Sequence, residues 1–115
     1  MARRRLWLDD VRPPPPGLVP SKAGWTWVKT ARWAISELYT QSYDMVSLDY
    51  DLDRNPIKDS GKPGNGYEVL RFLENKAYDD PSFFVPRIFI HTTNPLAFIR
   101  MHLALRAMKR ETGKG

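Results

Sequence analysis

Residues 6–10 read Leu-Trp-Leu-Asp-Asp and residues 45–51 read Met-Val-Ser-Leu-Asp-Tyr-Asp, two short apolar runs that each stop on carboxylates. A run of this kind suits a buried parallel strand whose carboxyl end opens onto a polar site. Two such strands side by side bring Asp9, Asp10 and Asp49 together. Open α/β sheets bind their ligands at that edge.

Working outward, Val11 to Gly24 holds Pro13, Pro14, Pro15, Pro16 and Pro20 with two glycines, which excludes a regular helix or central strand and leaves a stiff loop. Trp25 to Val28 supplies the aromatic and β-branched content of a second strand. Thr30 is placed to cap a helix reaching about Thr40, with Ala31, Ala34, Ile35 and Leu38 on its apolar face. Met45 to Leu48 is a third strand. Asp51 to Gly64 is polar and rich in glycine and proline, so it reads as a long loop. A helix starts at Gly66, buries Val69, Leu70, Phe72 and Leu73, and ends near Asp79, Asp80 and Pro81. Val85 to Ile90 is a fourth strand. Asn94 as cap and Pro95 as first residue begin a last helix with an apolar stripe of Leu96, Ile99, Leu103 and Met108. The alternation of strands with helices predicts a parallel sheet with right-handed crossovers.

The 115 residues carry a net charge of +5 and no cysteine. The length predicts one domain, 1–115, with its core at about 6–108 and basic tails. Absence of cysteine excludes disulfides, thiolate metal sites and a cysteine nucleophile, and is compatible with a reducing cytosol. No run approaches a membrane span or a signal peptide, so a soluble, cytoplasmic protein with no membrane partner is expected. Arg3 to Arg5 and Arg106, Lys109, Arg110 and Lys114 make both ends basic, which suits either a polyanion or a solvated fringe.

Taken singly, each aspartate is a loop starter or helix cap. Taken as a set, Asp9, Asp10 and Asp49 repel one another unless a cation compensates, and hard oxygen donors suit Mg2+ or Mn2+. Such an ion binds phosphate and neutralises charge in phosphoryl transfer or phosphoester cleavage. Asp51 is open between a further ligand, a general base and a solvated charge; Arg12, between an anionic substrate and a salt bridge to the acidic pair. His91 is either a general acid, base or ligand, or a partly buried histidine ahead of an Asn cap. Thr92 and Asn94 are placed to donate to a bound oxyanion. His102 reads as structural. The four tryptophans suit base stacking or, in the reading preferred here, core packing. Met101 and Met108 read as core or interface.

Trp27 to Leu38, Tyr43 to Asp49 and Gly64 to Leu73 resemble the receiver domains of two-component signalling, with Asp9 and Asp10 at the acidic pair, Asp49 at the phosphoacceptor position and Thr92 at the hydroxyl after the fourth strand. The proline loop stands where a receiver has its first helix, and no fifth strand with its lysine follows. The chain is more similar to the reduced, cyclic-phosphate-processing receivers. Asp9, Asp10, Arg12 and Pro13 match that family's Asp-Asp-x-Arg-Pro; Leu48, Asp49, Asp51 and Leu52 its Leu-Asp-x-Asp-Leu; His91 and Asn94 its His-x-x-Asn. Tyr50 stands where the family usually has histidine, and its hydroxyl can still donate to a phosphate.

The resemblance implies a small receiver-like (flavodoxin-like) fold in two or three layers, with four parallel strands in the order 2-1-3-4. It also implies metal-dependent, phosphoesterase-like processing of a cyclic phosphate, at an RNA 2′,3′-cyclic end or in a small nucleotide. Asp9, Asp10 and Asp49 would hold Mg2+ or Mn2+, Asp49, Asp51 and His91 would be catalytic, and Arg12, Tyr50, Thr92 and Asn94 would hold phosphate. The alternative is a non-catalytic receiver-like module or inhibitor that binds a protein, nucleotide or nucleic acid. Without a first and fifth helix, one sheet face is expected to be bare unless the last helix covers it. A bare face or the last helix would then support a weak homodimer.

Overall fold

Four four-residue strands, β1 (Arg5–Leu8), β2 (Trp25–Val28), β3 (Met45–Leu48) and β4 (Arg87–Ile90), form one sheet in the order β2-β1-β3-β4, every pair parallel. The computed structural model describes residues 4–14, 25–52 and 64–114. Most of the proline loop, 15–24, and of the loop containing Asp53, 53–63, lies outside these residues, as does Arg3.

Strand side chains alternate between the two faces of a sheet. Leu6 and Leu8, Val28, Val46 and Leu48, and Ile88 take one face and join a single buried cluster with all three helices. Helix α1 (Ala31–Thr40) contributes Ala31, Ala34 and Leu38, and α2 (Gly66–Asp79) contributes Val69, Leu70, Leu73 and Ala77. Helix α3 (Pro95–Thr112) contributes Met101, Leu105 and Met108. The described residues therefore form two layers, with every helix on one face. The last helix does not cover the other.

The opposite face follows from the register. Trp25, Arg5, Met45 and Arg87 pair in one row, and Trp27, Trp7, Ser47 and Phe89 in the next. The ladder continues one step beyond the strands, because the amides of Asp9, Asp49 and His91 donate to Val28, Leu8 and Leu48 at 3.1, 3.0 and 2.9 Å. Asp9, Asp49 and His91 thus form the third row of the face that carries Trp7, Trp25 and Trp27.

Each helix begins on its own cap, worth about 1 kcal/mol. Thr30 Oγ1 accepts from the Trp33 amide at 3.0 Å, Asn65 and Glu68 form a reciprocal capping box, and Asn94 Oδ1 accepts from Ala97 at 3.1 Å ahead of Pro95.

Three expectations are corrected. Strand β4 starts at Arg87 rather than Val85, because Pro86 has no N–H and the first ladder bond is Arg87 to the Asp44 carbonyl. The stripe expected on the last helix holds only at Met108, which is buried with Ala97, Met101 and Leu105, whereas Leu96, Ile99 and Leu103 face outward, Leu96 at 75% exposure. Small Ala97 and pliable methionines let α3 lie close against its neighbours, an advantage that counting apolar residues misses. The tryptophans split: Trp33 is exposed on α1, Trp25 and Trp27 are half-buried, and Trp7 is buried outside the helix-side cluster.

Candidate functional site

The carboxyl ends of β1, β3 and β4 meet around a cleft of about 180 Å³ lined by Asp9, Asp10, Val11, Arg12, Asp49, Asp51 and Thr93. Asp9 is the most constrained member. Its Oδ1 accepts from the amides of Val11 and Arg12 at 2.9 and 2.8 Å, and its Oδ2 faces Arg12 Nε and His91 Nε2, both at 3.2 Å. Its side chain is 1% exposed, while that of Arg12 is 48% exposed. The arginine balances a buried charge and lies half-exposed in the cleft lining. Its Nη2 also donates to the His91 carbonyl at 3.1 Å.

His91 is held from three sides. Ser47 Oγ lies 2.7 Å from Nδ1, Asp9 Oδ2 lies 3.2 Å from Nε2, and the Trp7 ring stacks on the imidazole with centroids 3.9 Å apart and planes 5° from parallel. A carboxylate can only accept, so Nε2 carries the proton toward Asp9 and the Ser47 hydroxyl donates to Nδ1. Burial, with help from the Arg12 charge and against the Asp9 charge, pushes His91 down to about 4 from its ordinary 6.5. The ring is neutral near pH 7. Ser47 can donate or accept, so the same pocket tolerates the tautomer that frees Nε2.

Asp49 accepts the Tyr50 amide at 2.8 Å and a hydrogen bond from the Thr92 hydroxyl. Burial first, and the Asp9 charge second, raise its carboxyl above the ordinary range. Asp51 lines the cleft, with Asn94 Nδ2 donating to its Oδ2 at 3.5 Å. Asn94 is also the α3 cap, and its amide donates to Thr92 Oγ1 at 3.2 Å. Thr92 and Asn94 thus position the two central aspartates. The Tyr50 side chain packs against the helix-side core and is absent from the lining; beside Asp49 it offers its backbone.

One oxygen each of Asp9 and Asp49 and a ring nitrogen of His91 lie within 4.8 Å of one another, which suits one divalent ion. The donors fit: two buried carboxylates need compensation, and a neutral imidazole supplies a lone pair once its proton moves to the Ser47 side. Asp10 lines the same cleft but does not join this group.

Sequence reading missed Ser47, Trp7, Thr93 and the role of Gly66. Ser47 and Trp7 stand two residues before Asp49 and Asp9, so strand alternation puts them on the site's face. A lone serine in an apolar strand was the available signal. Gly66 is required by a close approach: a Cβ there would overlap the Asp49 carbonyl oxygen.

The lowered His91 makes a pH prediction for protein stripped of metal. The unfolded ring takes up a proton near 6.5 and the folded ring only near 4, so the folded state binds fewer protons between them. Stability is complete above 6.5 and falls toward pH 4, by up to about 3 kcal/mol from this residue. The raised Asp49 acts in the opposite sense at the acid end, so the comparison that isolates His91 is wild type against His91→Gln. In EDTA the wild-type Tm should fall more steeply over this window; parallel curves would refute the assignment.

A four-stranded parallel sheet in the order 2-1-3-4, with an acidic site at its carboxyl edge, defines a receiver-like α/β domain. The family model for the cyclic-phosphate processing receiver domain matches residues 4–107, and the chain belongs to that family. Neither the curated proteins nor the solved structures return a match. Among the described residues, no helix is long and apolar enough to cross a membrane.

Proposed function

We propose that the domain is a metal-dependent phosphoesterase that opens a cyclic phosphate. Family membership ties the chain to cyclic-phosphate processing. The observation that carries the finer reading is the convergence of Asp9, Asp49 and a neutral His91 in one cleft. These three residues would hold the ion, and the imidazole favours Mn2+ over Mg2+, which prefers oxygen donors. When bound, the ion neutralises charge on the phosphate oxygens.

The remaining steps belong to the chain's own groups. Arg12, whose half-exposed guanidinium lines the cleft beside Asp9, would hold the phosphate. Asp51, inside the cleft and outside the trio, takes the proton of the attacking water. The new P–O bond forms as one ring P–O bond breaks, and the departing ribose oxygen receives its proton from solvent. Asn94 and Thr92 hold Asp51 and Asp49 in place.

The test is calorimetric titration of EDTA-treated protein with Mn2+, together with hydrolysis of a 2′,3′-cyclic mononucleotide. Binding and metal-dependent turnover are expected. Arg12→Gln should bind Mn2+ several-fold more tightly, because a competing cation is gone, while its KM rises about ten-fold. Absence of heat at millimolar Mn2+ with no turnover would leave the second reading, a non-catalytic binding module, which Tyr50 favours by occupying the family's usual histidine position.

A further inference from the structure

The sheet face that no helix covers among the described residues carries more chemistry than the cleft uses. Trp25, Arg5, Met45 and Arg87 form its outer row and Trp27, Trp7, Ser47 and Phe89 its inner row, which abuts Asp9, Asp49 and His91. Three of its aromatic rings carry a cation: Arg5 over Trp25 at 5.8 Å, Lys29 over Trp27 at 4.8 Å and Arg87 over Phe89 at 5.7 Å. Phe89 is 43% exposed, and Trp25, Trp27 and Met45 are half-buried. The Trp25 indole N–H is shielded from water and meets no acceptor among the described residues.

We infer that this face binds single-stranded nucleic acid and leads its phosphate-bearing end into the cleft. The inference rests on the reading of the cleft as a phosphate-processing site. Three observations carry it. Rings paired with cations match the two needs of a single strand, stacking for bases and positive charge for the backbone. Rows joined to the site through the Trp7–His91 stack and the Trp27 Nε1 to Asp9 carbonyl bond of 2.7 Å give a continuous path. A cleft of about 180 Å³ is smaller than the usual pocket for a whole small-molecule ligand, so a phosphate is enclosed while the bases lie outside it. Asp44 is the acidic group at the outer rim beside Arg5 and Arg87, and one of its oxygens accepts the Arg4 amide.

The test is fluorescence anisotropy with a labelled single-stranded RNA of about ten nucleotides, in EDTA so that the metal site plays no part. Binding is expected, weakening roughly ten- to twenty-fold between 50 and 200 mM salt if three cations meet phosphates. Phe89→Ser and Arg87→Glu change exposed residues, and each should weaken binding about ten-fold or more. Both variants should keep wild-type Mn2+ binding and turnover of a cyclic mononucleotide, which also reports that they fold. Asp49→Asn should keep RNA binding and lose turnover. Absence of RNA binding at 50 mM salt, or equal affinity in the face variants, overturns the inference without touching the cleft. Sedimentation showing a wild-type dimer that Phe89→Ser dissociates would also overturn it, by assigning the face to a second copy of the chain.

Discussion

Asp49→Asn is expected to weaken Mn2+ binding by at least ~100-fold and to abolish cyclic-phosphate turnover, while the metal-free protein becomes more stable. The two effects have one cause. Burial and the neighbouring Asp9 disfavour the charged form of Asp49, so the bare fold carries a group it would rather hold neutral. Asparagine keeps the shape and, with its oxygen in the Oδ1 place, still accepts the Tyr50 amide. It removes the charge on which a cation depends. The Tm in EDTA should rise by a few degrees, and added Mn2+ should stabilise the wild type but not the variant. A variant that binds Mn2+ like wild type, or melts well below it without metal, would remove Asp49 from the ion's ligand set.

Gly66→Ala should be the most damaging single change to stability. The alanine Cβ would overlap the Asp49 carbonyl oxygen, and its next contacts, the Asp49 carbonyl carbon and Tyr50 Cα, are also backbone. No side chain can turn aside to relieve this. The Gly66 amide also donates to the Tyr50 carbonyl at 3.1 Å, so the start of α2 is tied to the segment that must move. Relief requires separating α2 from the end of β3, at a cost of at least ~3 kcal/mol, which lowers Tm by roughly 10 °C or more. Because the displaced segment carries Asp49 and Asp51, Mn2+ binding should fall with stability. A Tm within about two degrees of wild type, by scanning calorimetry, would refute this role for Gly66.

The residues at both positions were visible in the chain, but in different ways. Asp49 announces itself as a carboxylate closing an apolar run. Gly66 reads as an ordinary helix start, because its importance lies in a backbone contact with a residue seventeen positions earlier. The same distinction separates Asp9 from Ser47. An aspartate at a strand end has few bland explanations when a second strand ends the same way, whereas a serine inside a strand has many.

The last helix marks the other boundary of sequence reading. Its cap, Asn94 then Pro95, is local chemistry and is readable. Its buried side is readable only at Met101 and Met108, because two apolar stripes run along it and only packing selects between them. The closer approach permitted by Ala97 and Met101 turns Leu96, Ile99 and Leu103 to the outside.

By itself the amino-acid sequence determined the order of strands and helices, the parallel sheet, and the presence of carboxylates and a histidine at strand ends. These follow from nearest-neighbour chemistry: apolar runs, caps and prolines act within a few residues. Tertiary structure alone decided that Asp9, Asp49 and His91, rather than Asp9, Asp10 and Asp49, share one row, that Ser47 and Trp7 hold the imidazole, and that every described helix lies on one face. Those outcomes depend on register between strands far apart in the chain, and register is set by how the whole sheet packs.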